Sequence, residues 1–144
     1  MSPRFLLAVL AGSAVLLPVG YLLYGVFFAF LFEEGAKTLP GVMRERPGVV
    51  WIVAGQLALG TLLALTIRWR GATSLEGGAE TGAILGLLMG ASDDFAQFGT
   101  TNLWTATATL ADPLIPAALV ASAGPTIGAL LGRDDRSTEA RTER

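Results

Sequence analysis

Long uncharged apolar runs, separated by short clusters of charge, dominate this chain. The runs occupy residues 5–32, 48–67, 81 to about 98 and 113–131, and two adjacent aspartates, Asp93 and Asp94, interrupt the third. Most charges gather at 33–46, 68–80, 93–94 and 133–144. No run shows the polar stripe at helical period that a soluble helix carries. A helix needs roughly 20 apolar residues to cross the ~30 Å hydrocarbon layer. The pattern therefore predicts an all-α fold: an integral membrane four-helix bundle over residues 1–132, with a charged tail at 133–144. The first run follows Arg4 as a secretory signal would, with small residues at Ala11, Gly12 and Ser13. It continues uncharged to Phe32, beyond the roughly 7–15 residues of a signal core, so a retained helix is expected.

Composition supports a membrane protein. The 144 residues are 52% hydrophobic and 15% charged, with mean hydropathy +0.57, whereas soluble domains carry about 25% charged residues. Cysteine and histidine are both absent. Their absence excludes disulfides, thiolate or His-ligated metal, His-ligated haem and any Ser-His or Cys-His pair, and no cofactor motif is legible. A net charge of -2 points away from nucleic acid. One Lys among ten basic residues, in an Ala/Gly/Leu-rich background, suggests a GC-rich bacterial gene.

Charge also orients the chain. Four crossings put both termini and the 68–80 loop on one side, with Arg4, Arg68, Arg70, Arg133, Arg136, Arg141 and Arg144. The other side holds Lys37, Arg44 and Arg46. Seven cations against three place both termini in the cytoplasm of a bacterial inner membrane. Trp51 and Trp69 bracket the second helix as an aromatic belt would. Glu33, Glu34, Asp93, Asp94 and Asp112 then make an acidic outer face.

Glycine spacing is the strongest local signal. Gly78, Gly82, Gly86 and Gly90 recur every four residues in the third run, and Gly124, Gly128 and Gly132 do so in the fourth. Small residues at this spacing let two helix backbones approach closely within lipid. The two stripes are expected to pack on each other within a hairpin; a homodimer through one stripe is the alternative. Pro18 is expected to kink the first helix and Pro125 to weaken the fourth. Leu39, Val42 and Met43 can dip into the outer interface, and the 68–78 segment reads as a plain turn.

The aspartates lie at the end of the glycine series. Four residues beyond Gly90 is Asp94, while Asp93 is turned by about 100° from it, so the two neighbours cannot share one face. Either the third helix ends here and the aspartates meet water, or it runs on through Gln97 and holds Asp94 in a polar pocket. Gln97, Thr100, Thr101, Asn102 and Thr105 could line such a pocket, and an intramembrane carboxylate is a functional candidate by default. Asp112 precedes Pro113 and reads as a helix cap, and Glu80 as support for the first turn of the third helix. Phe95, Phe98 and Trp104 suit interface anchoring.

A Thr-Asn-Leu sequence closing the third helix (Thr101, Asn102, Leu103), with Asp112 opening the fourth, resembles an uncharacterised family of small bacterial four-helix integral membrane proteins. The Tyr-Asp pair usual before Thr-Asn in that family is replaced here by Phe98 and Gly99. The resemblance implies the four-helix topology, singles out Asn102 and Asp112, and implies no reaction.

Two functions remain open. The first is a structural or accessory subunit, a homo-oligomer or part of a larger membrane complex packed through the Gly-rich helices, which the sequence places ahead of transport. The other is a transporter or binding protein whose outer acidic pocket takes a cation, proton or small polar solute at Asp93, Asp94, Gln97, Asn102 or Asp112. No catalytic motif supports an enzyme. Asp94 and Asp112 invite comparison with an intramembrane aspartyl protease, but the Gly-x-Gly-Asp signature of that class is missing.

Overall fold

In a computed structural model of the chain, residues 2–28, 44, 46–102 and 105–142 are described, with 134–142 described by backbone alone. Their regular structure is entirely helical. Helix α1 (Pro3–Leu22) is capped by Ser2, whose hydroxyl accepts the Phe5 N–H at 3.2 Å. Pro3 stands at the first helical position, where its missing N–H costs nothing. One π-helical turn follows, Leu23–Phe27. Phe28 then leaves helical geometry (φ −113°, ψ 10°), so the described helix ends short of Phe32. Glu33, Glu34, Lys37, Leu39, Val42 and Met43 lie outside the described residues, as do Leu103 and Trp104.

Helix α2 (Val49–Arg70) ends at Gly71, whose φ of +64° is open to glycine at little cost. Its N–H reaches Arg68 O and the Ala72 N–H reaches Ile67 O at 3.0 Å, closing the orphan carbonyls in a Schellman motif. Helix α3 (Leu75–Thr100) begins six residues before Thr81, because the extended Ser74 accepts the Gly77 N–H at 3.0 Å. Glu76, not Glu80, is the acidic residue of the first turn. Glu80 pairs with Arg70 at 3.2 Å, and Arg70 also donates to the buried Thr81 hydroxyl at 2.9 Å, clasping α2 to α3. A short helix α4 (Ala106–Ala111) is capped by Thr105. Helix α5 (Leu114–Thr142) carries the apolar run straight into the charged tail.

By length and composition, three spans can cross a membrane: Pro3–Phe27, Val49–Arg70 and Ala106–Arg133. Helix α3 is 26 residues long but is not among them, since Glu80, Asp93 and Asp94 break its apolar character. Trp51 and Trp69 are 75% and 76% exposed near the two ends of α2.

Helix α5 is the hub. It packs along α3 more extensively than along any other element, and also against α1 and α2. Phe5, Leu16, Leu63, Ile67, Val120, Ile127 and Leu131 form the buried cluster between α1, α2 and α5. Lipid offers little hydrophobic drive for helix association, so contact distance matters more than apolar area. On α3, a Cβ at Gly78 would strike the carbonyl of Gly124, one at Gly82 that of Val120, and one at Gly86 that of Pro116. Gly90 abuts Pro116 and Pro113. From the other side, Gly124 faces the Gly78 carbonyl, Gly128 that of Ser74 and Gly132 that of Thr73. Each four-residue step forward on α3 meets a step backward on α5, an antiparallel register maintained over several turns. A close α1–α2 contact comes from Ser13, whose hydroxyl donates to the Gln56 carbonyl at 3.1 Å and abuts Gly60.

Gly86→Leu must force α3 off the Pro116 carbonyl, and is expected to cost about 1–3 kcal/mol or more. Gly55→Ala, with nothing within 4 Å of the added methyl, is expected to be neutral or to stabilise by up to about 1 kcal/mol. Unfolding of both variants by denaturing detergent, followed by loss of helicity, checks this contrast.

Candidate functional site

The site is built where α3 ends and α5 begins. Gly86 and Gly90 bring α3 onto the first turn of α5, and the next residue in that register is Asp94. Helix α3 continues past it to Thr100, so Asp94 does not meet water as a helix end would; it is only 7% exposed. Asp93 is exposed and accepts from Gln97 Nε2 at 2.8 Å. The two neighbours therefore have separate surroundings.

Asp112 is half-buried between α4 and α5. Its backbone is helical (φ −58°, ψ −39°), its N–H bonds Ala108 O, and its own carbonyl accepts from Ile115 N at 2.7 Å. An N-cap needs extended backbone and a side chain turned onto the next N–H groups. Asp112 has neither. Its carboxyl group lies within hydrogen-bond reach of the Asp94 carboxyl group instead. The capping expectation is corrected accordingly: the α4 turn occupies the place where a chain coming straight from a loop would have needed a cap.

Asp94 Oδ2 and Asp112 Oδ1 are buried, and no N–H or O–H donor among the described residues reaches either. Two carboxylates offer only acceptors, so the contact between them holds only with a proton or a cation in between. Buried polar atoms are normally satisfied, and such an exception calls for an explanation. Tyr24 stands nearby on the π-helical turn and is half-buried. Such turns recur at functional positions because they re-aim side chains within an otherwise regular helix. Four residues earlier on α1, Gly20 faces the Gln56 side-chain amide, and Gln56 Oε1 is a third buried acceptor without a partner.

The remaining candidates stand apart from this pair. Asn102 is exposed, and Thr101 donates to Gln97 O at 2.8 Å. Thr100 bonds back to Ala96 O, and Thr105 accepts the Ala108 N–H as the cap of α4. Tyr24 escaped sequence reasoning, although a tyrosine in the second half of an otherwise apolar run is a legible signal. Comparison with known proteins finds no matching family model, no matching curated protein and no matching solved structure.

Asp112→Asn supplies an amide donor to Asp94 and is expected to keep stability within about 1 kcal/mol, whereas Asp112→Ala leaves Asp94 buried and unpaired at a cost of about 1–3 kcal/mol. Asp93→Asn is expected to stay within about 0.5 kcal/mol. Equal losses for Asp112→Asn and Asp112→Ala, in the same unfolding assay, would refute the carboxyl pair.

Proposed function

We propose that this protein is a small multi-pass protein of the bacterial inner membrane that binds a proton or a small cation at the Asp94–Asp112 pair, loaded from one side. The observation carrying this reading is the meeting of the buried Asp94 and the half-buried Asp112, each with one buried carboxyl oxygen that no donor among the described residues reaches. An ionisable group within a membrane segment is expensive and is retained where it serves a substrate or a proton path. Helix α3 counts here as the fourth crossing: 26 residues give about 39 Å of helix, and its glycines follow α5 down to Gly128. Both termini are taken as cytoplasmic on the excess of arginine at that side, which puts the pair toward the outer side.

Access from one side is favoured over a pore. Below the pair, the fully buried Leu16, Leu63, Ile67 and Ile127 put an apolar block between it and the α1 start. Asp94, Asp112, Tyr24 and Gln56 are the residues of the site; Gln97, Asn102 and Asp93 are peripheral to it. An accessory or oligomeric role has less support, because Gly78, Gly82, Gly86 and Gly124 are covered within one chain. A second copy or a larger complex would have to use other faces. The family likeness at Thr101, Asn102, Leu103 and Asp112 is compatible with either role.

A ligand that binds only the folded state raises stability by mass action. Purified protein in neutral detergent, titrated with sodium, lithium and potassium chloride against an equal ionic strength of choline chloride, is expected to gain thermal stability with at least one cation. The gain is expected to shrink as the pH is lowered, since proton and cation compete for the same oxygens. Asp94→Asn and Asp112→Asn are expected to abolish it, and Asp93→Asn to retain it. A cation response unchanged in both site variants, or loss of response in Asp93→Asn alone, would remove the assignment.

A further inference from the structure

Proline interrupts the main chain where α4 hands over to α5. In a continuous helix the Thr109 carbonyl would accept from the N–H four residues on, but that residue is Pro113, which has none. Bonds on either side are made: Thr109 N reaches Thr105 O at 3.0 Å, Asp112 N reaches Ala108 O at 2.8 Å, and Ile115 N reaches Asp112 O at 2.7 Å. The last of these fills the gap that Pro116 would leave at the Asp112 carbonyl. No main-chain N–H among the described residues reaches the Thr109 carbonyl. The Thr109 hydroxyl turns the other way and donates to Thr105 O at 3.0 Å. Thr109 is 4% exposed, so bulk water does not make good the missing bond.

We infer that the Thr109 carbonyl oxygen is a third protein ligand at the Asp94–Asp112 site, and that the site takes a small monovalent metal cation of the sodium class, not a proton alone. This rests on the reading of the pair as a cation or proton site. Placement follows from helix geometry. Helical side chains lean over the preceding turn, so Asp112, with its helical backbone, sets its carboxyl group on the side of Ala108 and Thr109. Both of these are buried, whereas Leu110, turned by about 100° from Thr109, is 71% exposed, so this face of α4 is the inward one. Asp94, only 7% exposed, meets Asp112 from α3 with its Oδ2 unmatched. A proton bridges two oxygens and has no use for a third. A metal cation needs several, and neutral carbonyls at a break in a membrane helix supply them. Three protein oxygens fall short of the about six to eight that calcium takes, and magnesium retains several waters, so the monovalent ion is the better match.

The test measures sodium binding to the full chain in neutral detergent, through thermal stability in sodium against choline chloride at constant pH. Pro113→Ala gives the Thr109 carbonyl the N–H it lacks. It is expected to weaken sodium binding about tenfold, the equivalent of one charge-assisted contact, while stability in choline chloride is kept. Pro18→Ala makes the same change on the exposed side of α1 and is expected to leave sodium binding unchanged. Carbonyl NMR spectra of the unaltered protein, isotope-labelled at threonine, need no variant to fold. One threonine carbonyl signal is expected to move with sodium, at the midpoint of the stability gain. Sodium binding unchanged in Pro113→Ala, no moving threonine carbonyl, or calcium bound more tightly than sodium would overturn the inference while leaving the carboxyl pair as a cation site. Stability that answers to pH but to no metal cation overturns it too, and leaves the pair as a proton site. Sodium binding untouched by Asp94→Asn removes the pair itself, and this inference with it.

Discussion

Backbone contact between α3 and α5 is the constraint on which the rest of the molecule depends. Gly78, Gly82 and Gly86 each sit where a single added carbon would meet a main-chain carbonyl of α5. Helices this close lock in both rotation and translation, because carbonyl and Cα surfaces leave no side chain to rearrange. In lipid such contact substitutes for the hydrophobic drive that water would supply. A slip of one residue would turn α3 by about 100° and bring bulky side chains onto α5.

That register has a chemical consequence at its end. With Gly90 seated on Pro113 and Pro116, Asp94 arrives beside Asp112 and away from the surface that Asp93 shares with Gln97. Close packing leaves one buried oxygen of each carboxyl group without a donor among the described residues, so the pairing of the two acceptors calls for a proton or cation. Helix α1 completes the arrangement: its π-helical turn carries Tyr24 near the pair, and its earlier turns seal the interior with Leu16 and Phe5. Among the described residues, the carboxyl oxygens that are buried without a donor thereby lie at one end of the molecule.

The two ends have opposite electrostatic character, for different reasons. Carboxylates at the α3–α5 end are inside, forced together by packing. Arginines at the other end are outside, on long stems that keep their charge at the surface while Phe5 closes the core beneath them. The Arg70–Glu80 pair and the Thr81 hydroxyl tie the α2–α3 turn there, so the register begins from a defined point.

Much of the helical layout was legible in the sequence, because apolar runs of membrane length, with charge between them, leave the chain few alternatives. The four-residue glycine spacing read directly as a close-contact stripe and separated Asp94 from Asp93 by rotation alone. Boundaries were less legible. Ser74 carries a capping signal that the longer apolar run at 81 obscured, and Asp112 looked like a cap until α4 occupied the turn before α5. Asn102 looked like a pocket residue but lies exposed, since its placement depends on how the chain leaves α3. What the sequence determined by itself is local: helical period, run length and the face each residue shares along one helix. Only the tertiary structure decided that Asp94 meets Asp112 and that Gly86 and Gly90 seat α3 on the start of α5. Those meetings depend on the depth and rotation of separate helices, which no single helix encodes.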